Sequence, residues 1–201
     1  MFEIRPASRP KKPVYGVGIN DADYVTTYVD ANGKTVHCPY FAKWKSMLRR
    51  CYDPVYKAKR PTYEDCTVAP EWLTFSNFRK WMIQQDWVDK HLDKDLLVQG
   101  NKHYGPDTCV FVSGAINNLM CLRENRRGDL PLGVTKMGVN GCTYYVAACS
   151  MYGKQKRLGY FKTPEEAHAA YVVAKQAHIQ ELAGKEADPR IKKALLSLKV
   201  A

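Results

Sequence analysis

Asp93, Lys94 and Asp95 stand together in the run Leu92-Asp93-Lys94-Asp95-Leu96-Leu97, and Asn117 and Asn118 follow a second apolar run, Thr108-Cys109-Val110-Phe111-Val112. A carboxylate and a carboxamide are hard oxygen ligands, and Mg2+ needs few of them when water and phosphate oxygens complete its shell. Asp93 and Asn117 are the candidate pair, with Asn118 as the alternative to Asn117 and Asp95 as a supporting partner. A cation held there would neutralise charge building on a phosphate under attack, and a base must take the proton of the attacking water. His91 lies two residues before Asp93 and so on the same strand face, while His103 and His37 are further candidates. A plainer reading stays open, in which Asp93 and Asp95 cap a turn, Asn117 caps or packs a helix, and the histidines are surface groups.

The elements that must position these groups are a strand over Leu92–Leu97, the turn-rich stretch Gly100-Asn101-Lys102-His103-Tyr104-Gly105-Pro106-Asp107, a strand over Thr108–Val112, and a helix containing Ile116-Asn117-Asn118-Leu119. From about Tyr40 to Leu122 this order resembles the phage HNH (ββα-metal) endonucleases. The Trp44-x-x-Met47-Leu48-x-Arg50-Cys51-Tyr52 run is similar to a group of phage-encoded relatives. The resemblance implies a single Mg2+ or Mn2+, if the site is active, gripped by Asp93 and Asn117 against a scissile phosphate; no zinc is expected, on the cysteine spacing. One departure bears on activity: Lys94 stands where that family has its general-base histidine. An ammonium cannot accept a proton from water, though it can hold a phosphate or steady a transition state. The catalytic candidates are therefore Asp93, Lys94 and His91. Whether the chain is an enzyme stays open between a metal-dependent DNA endonuclease and the same scaffold kept for DNA binding, as a regulator or host-directed inhibitor.

Charge narrows the partner. The 201 residues carry a net charge of +11, a pI near 9.3, and basic residues interleaved with aromatics rather than gathered in a tail, which points to nucleic acid; duplex DNA is the form the resemblance implies. RNA is a third reading, since basic charge does not distinguish the two. No run is long and apolar enough for a membrane span. The seven cysteines form no C-x-x-C pair, so a zinc site has little support and reduced thiols packed as small hydrophobes are expected. A cytoplasmic location follows from the cysteines and the absence of a signal core. A protein partner is neither required nor excluded.

The expected fold class is α+β: a ββα-metal (HNH-like) N-terminal domain with helices, then a three-stranded antiparallel sheet packed on one helix. The division runs 1–13 basic arm, 14–123 HNH-like domain, 124–131 linker, 132–185 second domain and 186–201 basic tail, where a further helix is an option. In the first domain Tyr24–Val29 and Lys34–Cys38 flank Asn32-Gly33, a two-residue hairpin signal. A basic helix spans Tyr40–Tyr52, ends at Asp53-Pro54, and is followed by a basic loop and a short strand over Tyr63–Val68. A second helix runs from Leu73 to about Gln85. Trp44, Trp72, Phe75, Phe78 and Trp81 recur at helical spacing and are expected to pack rather than stack on bases.

In the second domain, strands at Gly133–Lys136, Thr143–Cys149 and Gln155–Phe161 are separated by Asn140-Gly141 and Tyr152-Gly153. Thr163-Pro164-Glu165-Glu166 starts a helix with an N-cap, a proline at N1 and a capping-box glutamate. The helix is expected to stop at Ala183-Gly184 and to bury Ala167, Ala170, Tyr171, Ala174 and Ala177. Gly133-Val134, Tyr145-Val146-Ala147, Leu158-Gly159-Tyr160-Phe161, Thr163-Pro164-Glu165-Glu166-Ala167 and Ala170-Tyr171 make the segment Gly133–Gly184 similar to an AP2 DNA-binding domain. The resemblance implies that the sheet face away from the helix enters the major groove. Tyr145, Ala147 and Cys149 would face the helix, and Tyr144, Val146, Ala148 and Ser150 would face outward. Gln155 and Arg157 would turn toward DNA, Arg157 reading guanine, with Lys136, Lys154 and Lys156 on phosphates. The DNA-binding candidates are Lys136, Tyr144, Ser150, Lys154, Gln155 and Arg157. Plant-type AP2 domains line this face with several arginines, and thin base readout follows from Thr135, Met137, Ala148 and Ser150 here.

Overall fold

Asn32-Gly33 does close a hairpin in the computed structural model, which describes residues 12–120, 129–139 and 142–200, but not as a two-residue turn. Strands β1 (Thr27–Val29) and β2 (Thr35–His37) pair antiparallel with Val29 opposite Thr35, leaving five residues in the loop. Asp30 Oδ1 accepts from the amides of Asn32 and Lys34, and Gly33 takes the positive φ of 75°. Helix α1 (Pro39–Tyr52) follows and buries Phe41, Trp44, Met47, Leu48 and Cys51, the face its spacing predicts. The expected basic loop after it is partly helical. Asp53 caps α2 (Pro54–Lys59) by accepting from Val55 and Tyr56, with Pro54 at N1. The Asp-Pro pair that ends one helix thus begins the next.

The chain divides into two units, Met1–Phe111 and Val112–Ala201. In unit 1, β3 (Thr67–Val68) pairs in parallel with β5 (His103–Tyr104), a pairing the sequence did not announce. A single 3-10 turn over Pro70–Leu73 leads into α3 (Phe75–Ile83). Strand β4 (His91–Asp93) pairs with β6 (Val110–Val112). Both strands are shorter than expected, because Lys94–Leu97 bend away from the ladder. Trp44, Trp72, Phe75 and Phe78 are core groups, at most 1% exposed, and Trp81 packs against them. The Trp44 indole donates to the Trp72 carbonyl at 2.7 Å, which satisfies its polar atom inside the core. The described cysteines are free thiols and only Cys142 is exposed; burial pushes those of Cys51 and Cys109 up to about 12.

Unit 2 holds α4 (Gly114–Met120), then β7 (Val134–Val139), β8 (Cys142–Met151) and β9 (Lys154–Phe161) as an antiparallel meander. Tyr152 and Gly153 have φ of 50° and 77° and join β8 to β9 as a two-residue turn. Helix α5 (Pro164–Lys185) begins with the full capping box of Thr163 and Glu166. It buries Ala167, Tyr171, His178, Ile179, Leu182 and Ala183. Ala177 is exposed, so the lower stripe shifts to His178 and Leu182, and Gly184 does not stop the helix. The chain turns at Asp188-Pro189 into α6 (Pro189–Ser197), which buries Ile191 and Leu195, so the basic tail contains a folded element. Most of the arm over 1–13, most of the linker over 124–131 and the Asn140-Gly141 turn lie outside the described residues.

Gly133 shows how tightly α5 lies on the sheet. Its φ is 79°, and a Cβ there would lie 2.1 Å from Tyr171 Cδ2. Gly133→Ala combines a left-handed backbone with a ring clash, and is expected to cost about 3 kcal/mol. Thermal unfolding followed through near-ultraviolet circular dichroism checks it; an unchanged melting temperature would contradict this packing. Among the described residues no helix is long and apolar enough to cross a membrane.

Candidate active site and nucleic-acid interface

Strand alternation on β4 turns Leu92 into the core and places His91 and Asp93 together on the other side. Asp93 Oδ1 accepts from the amides of Asp95 at 2.9 Å and Leu96 at 2.7 Å. This is the turn-capping role of the plainer reading, and it also fixes how the carboxylate points. Oδ2 accepts no hydrogen bond among the described residues. Burial raises the Asp93 pKa, with the two amide bonds and Lys94 opposing and Asp95 adding to the rise. A half-buried, oriented carboxylate with one free oxygen suits a cation completed by water and phosphate. Among the described residues no three His, Cys, Asp or Glu side chains gather as a metal cage.

The other candidates separate by their surroundings. His91 is exposed and its ring makes no hydrogen bond among the described residues. His37 and His103 are each tied through Nδ1 to a threonine hydroxyl, Thr27 at 2.7 Å and Thr67 at 2.9 Å. Lys94 is 4% exposed. Its ammonium donates to Asp95 Oδ1 and to the Asn101 carbonyl, both at 2.6 Å, and lies 5.8 Å from the centre of the Tyr104 ring. The Asn101 amide group returns bonds to the carbonyls of Lys94 and His103. Lys94 is thus engaged in holding its own loop. Asn117 lies on α4 in unit 2, half-buried, with its backbone amide on the Ser113 carbonyl.

Helix α1 adds two cations the sequence reading did not single out. Lys43 donates to the Lys90 carbonyl, and Arg50 Nη1 donates to the Leu92 carbonyl at 3.4 Å and the Tyr104 hydroxyl at 3.3 Å. Their helical spacing was visible; that β4 runs past them was not.

In unit 2 the register sorts the other candidates. Cross-strand partners share a sheet face. Ala147, Val134 and Ala167 form the buried side with Tyr145, Leu158 and Phe161 packed on it. Opposite it lie Tyr144 beside Met137, Val146 between Thr135 and Tyr160, Ala148 beside Arg157, and Ser150 beside Gln155. A bulge makes this possible. Ala147 pairs with Gly159 and Ala148 with Arg157, so β9 skips Leu158, which turns inward, and Arg157 joins Tyr160 on the outer face. Arg157 Nη1 donates to the Tyr160 hydroxyl at 2.7 Å and its guanidinium sits 5.4 Å from that ring. Tyr160, 53% exposed, is a further interface candidate. Val146 is buried despite its outward direction, as a central-strand residue flanked on both sides. Lys136 and Lys154 pair with Tyr145 and Met151 and so lie on the helix side, exposed at the sheet margins.

No family model, curated protein or solved structure matches this chain.

Proposed function

We propose that this protein binds duplex DNA and cuts its backbone by divalent-cation-assisted hydrolysis, as an HNH (ββα-metal)-like endonuclease whose AP2-like unit supplies the hold on DNA. The observation that carries the reading is the placing of His91 and Asp93 on one face of β4: among the described residues the imidazole has no hydrogen-bond partner and the anchored carboxylate keeps one oxygen free. Asp93 would hold Mg2+ or Mn2+ through Oδ2, and the cation when bound supplies charge neutralisation at the phosphate. His91 takes the proton of the attacking water. Lys94 keeps the turn that aims Asp93 and does not reach the reacting atoms. Arg157, pre-ordered by Tyr160, meets base edges with Gln155 and Ser150 beside it, while Lys136 and Lys154 reach phosphates from the margins.

The test is supercoiled plasmid with Mg2+, Mn2+ or EDTA. Metal-dependent nicking or linearisation is expected, slowed about a hundredfold or more by His91→Ala. Arg157→Ala should weaken a duplex mobility shift by about 1–3 kcal/mol and leave the fold intact. A second reading, a DNA-binding protein without cleavage acting as a regulator or inhibitor, is favoured by the engagement of the buried Lys94 ammonium, at the family's base position, with Asp95 and the Asn101 carbonyl. A salt-sensitive shift with no cutting of plasmid or genomic DNA would decide for it. Preferential competition by structured RNA would overturn duplex DNA as the partner.

A further inference from the structure

Lys43, Ser46, Met47 and Arg50 line one face of α1 and, with His91 and Leu92 of β4, enclose a cleft of about 140 Å³ in unit 1. Residues three, four and seven apart lie on one side of a helix, so the helical repeat itself builds this wall. Neither cation is left to wander. Lys43 is tied to the Lys90 carbonyl, and Arg50 to the Leu92 carbonyl and Tyr104 hydroxyl, with its guanidinium 5.9 Å from the Tyr63 ring.

All of these partners are neutral, since burial raises the Tyr104 pKa and keeps its phenol protonated. Among the described residues neither cation forms an ion pair with a carboxylate. The Lys43 pKa is held below the usual lysine range, first by burial and then by the Arg50 charge, with Asp89 offsetting only part. Two half-buried like charges in one cleft are unfavourable until an anion joins them.

We propose that the Lys43–Ser46–Arg50 cleft is an oxyanion site that receives a phosphate group of nucleic acid, with His91 at its rim. Arg50 offers a fixed fork suited to two phosphate oxygens, Lys43 a point charge, and Ser46, which is exposed, a hydroxyl donor. The assignment deepens the endonuclease reading and rests on it for the source of the phosphate: a group held here lies beside the residue assigned as base.

The experiment is titration of the full chain with inorganic phosphate in EDTA, followed through backbone amide resonances, against chloride at matched ionic strength. Saturable shifts confined to Lys43–Arg50 and Lys90–Leu92 are expected. Lys43→Gln should weaken phosphate binding about tenfold, as the loss of one charge-assisted bond predicts, and Lys43→Arg should restore it. Ser46→Ala, at an exposed position, should weaken it a few-fold and keeps the test decisive if Lys43→Gln unfolds. Shifts equal to those in chloride, or insensitive to both variants, would overturn the site.

Competition identifies the source. Equal displacement of phosphate by 5′-hydroxyl and 5′-phosphorylated duplexes assigns a backbone phosphodiester, displacement by the phosphorylated duplex alone assigns a terminal phosphate, and displacement by neither refutes a nucleic-acid phosphate. Because EDTA prevents turnover, phosphate binding without plasmid cleavage would remove the nuclease reading and keep the cleft. Cleavage without phosphate binding would do the reverse.

Discussion

On the endonuclease reading, Asp93→Asn is expected to abolish metal-dependent nicking while leaving the protein folded and at least as heat-stable as the parent at neutral pH. Asparagine retains an Oδ1 that can accept from the Asp95 and Leu96 amides, so the turn survives. What would disappear is the negative charge proposed to face the cation, and with it an expected several kcal/mol of electrostatic assistance, about a thousandfold or more in rate. The stability half follows from linkage. Burial raises the Asp93 pKa above its ordinary 3.8, so the folded state favours the protonated carboxyl more than the unfolded chain does. That stabilisation is full below the ordinary value and is lost as pH rises through the raised one. Above it, the ionised group carries a constant deficit that asparagine removes. Melting temperatures of parent and variant across the carboxylate range should therefore diverge in the variant's favour as pH rises, then run parallel. Added Mg2+ should raise the parent's melting temperature alone, by the equivalent of about 2.7 kcal/mol at a hundredfold excess over Kd. A variant that still cuts, or Mg2+ stabilising both proteins equally, would remove Asp93 as the metal ligand.

Lys94→Ala lowers stability by about 3 kcal/mol. The ammonium is nearly inaccessible and closes the loop onto the Asn101 carbonyl and Asp95. Removing it leaves a part-buried carbonyl without its donor, and charge-assisted bonds of this kind are worth about 1.5–3 kcal/mol each. The Asp95 share is discounted because that side chain is 43% exposed and screened by solvent. Urea unfolding followed by tryptophan emission measures the loss, and a shifted midpoint with an unchanged slope is expected. An alanine variant as stable as the parent yet unable to cut would return Lys94 to the reacting phosphate.

Local chemistry made several elements readable in advance. Thr163-Pro164-Glu165-Glu166 carries its own cap, its own φ and its own reciprocal bond, so α5 begins there whatever surrounds it. The spacing of Phe41, Trp44, Leu48 and Cys51 likewise specifies the buried face of α1 without reference to a partner. Strand alternation alone was also enough to bring His91 and Asp93 to one side of β4.

The remainder was decided by contacts distant in the chain. Arg50 meets Leu92 across 42 residues and Lys43 meets Lys90 across 47, so no local pattern could mark them as one cleft. The same limit hid the fate of Lys94. A lysine in a polar run reads as a solvated or phosphate-facing charge, and only the return of Asn101 seven residues later gives its ammonium a part-buried backbone acceptor. In the sheet, simple alternation from Tyr160 would have sent Arg157 toward the helix. The bulge at Leu158 reverses that, because an apolar side chain gains more by turning into the core than the ladder loses by skipping one residue. Residue types and spacings thus determined which groups are available for chemistry and where α1, α3 and α5 would form. Tertiary packing decided which charges line a cleft and which are tied into their own loop, since burial and pairing depend on neighbours that the local sequence does not contain.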